Sequence, residues 1–266
     1  MRQPRKKGYG FSLLEMIAVM AITSVLAGVL MPSLIRGIQQ SYSKAEAQSM
    51  LSLVQSLRQY TLSKKRIPSR AVSDWSVALA DNLGQSPAQI AQNGRGYNRA
   101  LFLDPRFLHS TANQFNGFSQ NRGLTAAPFS PRAIFVSDLN NNVLTRQLNA
   151  AQFNALWEQS ASALYKESKE IKVERINFSS LFHRVLLTNQ KTSAAGFITE
   201  DGAMGTVQPH SGGIDGAEER YILGTSQLKL FDSTDSSVPF QTTVLVNGST
   251  NFRHILTGTN WNWVNP

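Results

Sequence analysis

No cysteine occurs among the 266 residues, which excludes disulfides, thiolate nucleophiles and cysteine metal sites. A chain of this length can still bury a core large enough to fold outside the cytoplasm, so the lack does not argue against export. Histidine is scarce: His109, His183, His210 and His254 are scattered without metal-ligand spacing. Lone histidines of this kind are more often structural or solvent-exposed than catalytic. Neither a Gly-x-Ser-x-Gly elbow, nor a P-loop, nor a dinucleotide-binding fingerprint is present. Ser41-Tyr42-Ser43-Lys44 fits a Ser-x-x-Lys pattern, and Lys191-Thr192-Ser193 faintly echoes a companion motif. Ser41 falls on a helical stretch rather than at a pocket, so the match reads as chance. Nothing repeats at a period of 20–50 residues.

Acidic residues are outnumbered, 17 against 26 lysines and arginines, giving a net charge of +9. Much of the excess is local. Arg2, Arg5, Lys6 and Lys7 precede residue 11, and without them the balance is +5. A remainder of that size fits solubility as well as it fits an acidic partner. No basic cluster interleaved with aromatics supports nucleic-acid binding, although Arg95, Arg99 and Arg122 are candidate surface cations for it.

What the chain does have is a long apolar run. Residues 1–10 are short and basic, and from Phe11 to Ile35 the sequence is almost wholly apolar or small, with Glu15 its one ionisable residue. As a helix this run rises about 37 Å, enough to cross a hydrocarbon core of about 30 Å. The cationic flank should stay cytoplasmic, which puts the remainder outside. A secretory signal peptide would be shorter and followed by a small-residue cleavage site. A plain signal anchor would leave Glu15 unexplained, because a carboxylate in a membrane helix calls for a partner.

Gly10-Phe11-Ser12-Leu13-Leu14-Glu15 and the apolar run after it resemble the cleavage and methylation motif of type IV prepilins and type II secretion pseudopilins. The resemblance takes in roughly the first 35–60 residues. It implies cleavage between Gly10 and Phe11 by a prepilin peptidase, N-methylation of Phe11, and assembly through Glu15. It also implies other pilin or pseudopilin subunits and an inner-membrane assembly machinery as partners. Pro32 falls where many members have a helix-bending proline. The Glu15 carboxylate has two candidate partners, the Phe11 ammonium of a neighbouring subunit or that of its own chain four residues away.

Helical periodicity continues past Ile35 through Ile38, Tyr42, Ala45, Leu53, Leu57 and Tyr60, with Met50, Leu51 and Val54 widening the stripe. Gln39, Gln40, Lys44, Glu46, Gln48, Gln55 and Arg58 fill much of the opposite face. Pro68 is the stop signal. The expectation is one helix from Phe11 to about Ser63; the alternative is two helices broken at Pro32. Organisation therefore reads as a leader, 1–10; a stem, 11–66, with 11–35 the membrane or filament-core part; and an extracytoplasmic head, 67–266.

In the head, the expectation is a helix over 73–83 capped by Ser73 and a short helix opened by Ser86-Pro87. Loop should fill 93–131, and Asn149 should cap a helix to about Tyr165. Strands are expected near 132–139, 170–176, 181–187, 195–199, 219–223, 227–231, 239–246 and 251–257. Asn247-Gly248 is a hairpin signal between the last two. The fold class is α+β, a long helix packed on an antiparallel sheet. Asp232 with Asp235, or Asp215 with Glu218 and Glu219, could offer oxygens to calcium, but without defined spacing they read as solvated turns; no metal or cofactor is expected.

The reading is a structural subunit, not an enzyme, held as a single-pass protein of the bacterial inner membrane. The large cysteine-free head tilts it toward a minor pilin or pseudopilin. The alternatives are a membrane-tethered extracytoplasmic enzyme and a DNA-binding pilin of an uptake system.

Overall fold

The computed structural model describes residues 12–109, 117–120, 130–200, 204–235, 237–257 and 260–266. Helix α1 runs unbroken from Leu13–Lys64, through Pro32. Two compact units meet inside it, the first ending at Ala45 and the second beginning at Glu46. The reason is the change in its side chains. In the first unit the described helix is exposed except at the half-buried Ser43, and its apolar residues from Leu13 to Ile38 are all exposed. From Glu46 onward one stripe sinks into the head: Met50, Leu53, Leu57 and Tyr60 are buried. Full burial of Met50, Leu53 and Leu57 stabilises the head by about 1.5–3 kcal/mol each. The head thus folds around the second half of the helix rather than beginning after it.

The helix ends where Lys65 turns left-handed, at φ 53°. Helix α2 (Val72–Leu83) follows, closed by Gly84 at φ 60°. Its cap is Ala71 rather than the expected Ser73, with extended backbone and no side-chain bond. Asp74 in its first turn accepts instead from Ser69 N, at 2.6 Å. Helix α3 (Pro87–Ala91) starts as expected, with Ser86 and Gln89 forming a reciprocal capping box.

Thirteen strands build three sheets among the described residues. Strands β1 (Ala100–Leu103), β4 (Arg132–Asp138) and β5 (Ile171–Asn177) form an antiparallel sheet in the order β1-β4-β5. Strand β4 is covered on both faces, which explains its unbroken apolar run. Ala133 and Phe135 join the core under the stem with Trp75, Leu79 and Tyr221. Ile134 and Val136 face the other way, onto Phe153 and Leu156 of helix α4 (Ala150–Glu158). Asn149 caps α4 through a box with Gln152. The helix stops well before Tyr165, because Gln159 turns left-handed and its side-chain amide bonds the carbonyls of Leu156 and Tyr165.

The largest sheet has the order β13-β12-β6-β9-β3-β2. Its members are β2 (Phe107–His109), β3 (Gly117–Gln120), β6 (Phe182–Asn189), β9 (Gly216–Leu223), β12 (Thr250–Thr257) and β13 (Asn260–Val264). The third sheet, β11-β10-β7-β8, uses β7 (Ala195–Thr199), β8 (Met204–Val207), β10 (Gln227–Phe231) and β11 (Thr242–Leu245). Val185, Leu187, Ile222, Phe252 and Trp263 of the six-stranded sheet pack on Phe197, Leu228 and Leu230 of the four-stranded one. The fold is α+β, with a long helix packed on sheets that are antiparallel except where β12 runs parallel to β6.

Three local expectations are corrected. Strands β1, β2 and β3 lie within 93–131, where a loop was expected; each has only three or four residues, too few for alternation to show. Strands β8 and β13 were not foreseen; β13 carries Trp261 and Trp263, of which Trp263 is buried. Asn247-Gly248 is not a hairpin turn, because β11 pairs with β10 and β12 with β6 and β13. Val246 stays bonded to Thr225 and Ser226, and the chain then crosses from one sheet to the other.

Candidate functional site

The amino-terminal helix presents Glu15 on an exposed rod. Gly10 and Phe11 lie outside the described residues. Glu15 is at the third helical position, and Ser12 caps it. Ser12 N donates to Glu15 Oε2 at 2.8 Å, Ser12 Oγ donates to the same oxygen at 3.0 Å, and Glu15 N donates back to Ser12 Oγ at 3.2 Å. This is a capping box, which satisfies amide groups that the first turn leaves without helical partners. A carboxylate there also faces the positive end of the helix dipole. Among the described residues, the within-chain partner of Glu15 is Ser12.

The rest of the rod meets the condition for immersion in hydrocarbon, that polar groups be satisfied within the segment. Thr23 Oγ1 donates to the Val19 and Met20 carbonyls, Ser24 Oγ to Met20 O at 2.7 Å, and Ser33 Oγ to Leu30 O at 2.7 Å. Pro32 is the exception. It has no N–H, so the carbonyl four residues earlier, on Gly28, receives no helical bond from it. The helix continues through this point, and a Cβ on Gly28 would meet nothing within 4 Å. Among the described residues this is the one helix long and apolar enough to cross a membrane.

In the head, a buried ionic contact was not foreseen. Arg99 and Glu46 are 4% and 3% exposed and form a two-pronged bond, Nε to Oε1 and Nη2 to Oε2, both 2.7 Å. Arg99 also donates to Ser49 Oγ at 3.0 Å and Ile90 O at 2.8 Å. The expected surface cation is thus a core group, and Glu46 lies on the buried side of the stem, not the polar one. The signal was available: residues 46, 50, 53, 57 and 60 share one face at 3.5–3.6 spacing. A carboxylate on that stripe demands a buried cation. A second buried knot joins Asp104 to Arg106 and Arg132, whose guanidinium lies 4.5 Å from the Trp157 ring centre. Arg95 is half-buried and donates to Leu139 O and Asn140 Oδ1; Arg122 lies outside the described residues.

The carboxylates considered for calcium are engaged. Asp232 accepts from Lys191 Nζ at 2.7 Å, Asp215 meets His210 Nδ1 at 2.7 Å, Glu218 pairs with Arg220 and Glu219 with Arg184. Bonds from Gln190 and His210 hold Asp215 below the ordinary carboxylate range. Asp235 accepts from Ser237 N, which lowers it likewise. Among the described residues no group of three or more His, Asp or Glu is placed to hold a metal.

Among the described residues, His183, His210 and His254 belong to no metal-holding group. His254 is fully buried, stacked on Trp263 with its Nδ1 3.0 Å from Asn189 Oδ1. Asn189 donates through its amide nitrogen to Ser193 O and Gln208 O, so its oxygen is the acceptor and His254 Nδ1 carries the proton. His254 Nε2 lies 3.1 Å from Asp232 Oδ1 but makes no hydrogen bond. Burial holds this imidazole below its ordinary range, against the opposing pull of Asp232. A shallow cleft is lined by Leu144, Arg146, Leu148, Leu164 and Tyr165. It offers a cation and a phenol, without a nucleophile and base in reach of each other.

Residues 5–31 match the family model of the prokaryotic N-terminal methylation motif, the signature of type IV prepilins and pseudopilins. No curated protein and no solved structure matches the chain. The motif and the long apolar helix fit a membrane-anchored, processed, pilin-like subunit.

Proposed function

We propose that the protein is a structural subunit of a type IV pilus or of a type II secretion-like pseudopilus. Its precursor sits in the inner membrane with the basic leader in the cytoplasm and the head outside. A prepilin peptidase cuts between Gly10 and Phe11, and the new Phe11 amine is methylated. Glycine suits the cut, since a backbone without a side chain fits a narrow protease cleft. The mature subunit is drawn from the bilayer into a filament through its apolar helix.

Glu15 then exchanges partners. In the bilayer its carboxylate is held by Ser12. In the filament it meets the Phe11 ammonium of a neighbour, a pair that is strong because neither charge is hydrated. Pro32, which donates no helical bond to the Gly28 carbonyl, gives the rod a point of bending as it leaves the membrane. The observation that carries this reading is the coincidence of the motif over residues 5–31 with an uninterrupted, exposed apolar helix.

Mass spectrometry of the mature amino terminus tests it. The expected chain begins at Phe11 with a methylated amine; a functional assembly whose subunits retain residues 1–10 would overturn the proposal.

A further inference from the structure

The outward face of the stem beside the head is left without a partner, yet it is not an ordinary solvated face. Gln48, Leu51, Gln55, Arg58 and Leu62 recur at alternating three- and four-residue steps, the spacing of a helix seam. They lie opposite the buried stripe of Met50, Leu53 and Leu57. Leu51 and Leu62 are 51% and 53% exposed. From Ala47 to Lys64 the helix has no carboxylate, so the charge on this face comes from Arg58.

Helix α2 carries the complement. It has no lysine or arginine, and its outward residues Ser73, Val77 and Asp81 repeat every four positions. Val77 is 54% exposed, and Asp81 is exposed too. Neither Arg58 nor Asp81 makes an ion pair among the described residues. The two patches also match in spacing. Arg58 precedes Leu62 by four residues and Asp81 follows Val77 by four, about 6 Å in each helix. Laid antiparallel, the helices bring Val77 onto Leu62 and Asp81 onto Arg58 together.

We infer that the stem face Leu51–Arg58–Leu62 is a docking surface for a second copy of this chain, which seats the Val77–Asp81 face of its α2 there. The inference rests on the filament-subunit reading and names a contact within it. Two different patches of one chain meet, so the interface is heterologous, and repeated without closure it generates a helical array. It gives the protein the means to stack on its own kind, the property of a subunit present in adjacent copies.

Full-length chains bearing Arg58→Cys and differently tagged full-length chains bearing Asp81→Cys are co-expressed with the assembly machinery and oxidised. The wild-type protein has no cysteine, so a disulfide reports this contact alone. The expected result is a dimer carrying both tags. Arg58→Asp or Asp81→Arg alone should lower the yield of sedimenting filaments about threefold, the scale of one exposed ion pair, and the two reversals combined should restore it. Wild-type filaments that sediment normally without the mixed dimer would overturn the inference and leave the subunit reading standing. So would a cross-link from Arg58→Cys to a different protein, which would make the neighbour another subunit. If the wild-type chain forms no filaments and keeps its leader, the subunit reading itself falls, and the inference with it.

Discussion

Arg99 grips Glu46 with both sides of its guanidinium, each contact 2.7 Å, and the pair is buried where the stem enters the head. The remaining Arg99 protons go to Ser49 Oγ and to the Gln89 and Ile90 carbonyls, so the charge is desolvated but not unpartnered. Glu46 thereby ties the helix to α3 and β1, elements more than forty residues away in sequence.

Breaking that bond from one side should be costly. Glu46→Ala leaves a buried guanidinium without its counter-charge and should destabilise the head by about 3–5 kcal/mol. The double change Glu46→Leu with Arg99→Met should cost much less, because no charge is then stranded. Chemical denaturation of the detergent-solubilised full chain, followed by tryptophan fluorescence, compares them. Equal losses in both variants would contradict the burial argument.

Glu15→Ala should act on assembly and not on the head. Loss of the capping box frays the first turn of α1, at a cost of about 1 kcal/mol. The Phe11 amine of a neighbouring subunit then has no carboxylate. Cleavage should proceed normally, and sedimentable filaments should be lost. Immunoblots of processed chain and sheared filament fractions read the two effects separately; wild-type filament yield would remove Glu15 from the mechanism.

Pro32→Ala restores an N–H to the Gly28 carbonyl. A proline inside a helix costs about 3 kcal/mol or more, so the substituted rod should open less often. Hydrogen exchange of the detergent-solubilised chain should slow severalfold at amides near residue 32 and stay unchanged in the head. Unchanged exchange near residue 32 would mean that the proline does not loosen the helix.

Acid should weaken the head through His254. Burial holds its folded pKa below the ordinary value of 6.5. The unfolded chain therefore binds the proton more readily, and stability is present above pH 6.5 and lost as pH falls through the folded value. Glu200, lowered by its bond from Lys65, adds a similar loss beginning below its ordinary value of 4.5. Thermal midpoints should drop between pH 7 and pH 5. His254→Phe should flatten that window while lowering the midpoint at pH 7, because the Asn189 bond is lost. A wild-type midpoint constant from pH 7 to pH 5 would sink this account.

The parts of the structure that were legible beforehand are those set by local pattern. The long helix, the Ser86 and Asn149 caps, and strands β4, β7 and β10 follow from periodicity and side-chain chemistry within a few residues of one another. The Glu46–Arg99 pair was missed because its halves are far apart in sequence. Its trace was a carboxylate on the stripe shared with Met50 and Leu53. Asn247-Gly248 misled because a turn signal fixes a local reversal, not the strand that each arm will find; β12 found β6.

The sequence alone carried the motif and the apolar run on which the reading of a processed, helix-anchored subunit rests. A basic leader, the Gly10-Phe11 junction, Glu15 and an apolar run are contiguous, and hydropathy and charge act through the bilayer without help from a fold. The tertiary structure decided where the head begins, which charges are buried and which helix faces remain open. Those depend on pairing between distant segments, where the desolvation of each group is set by what the rest of the chain packs against it.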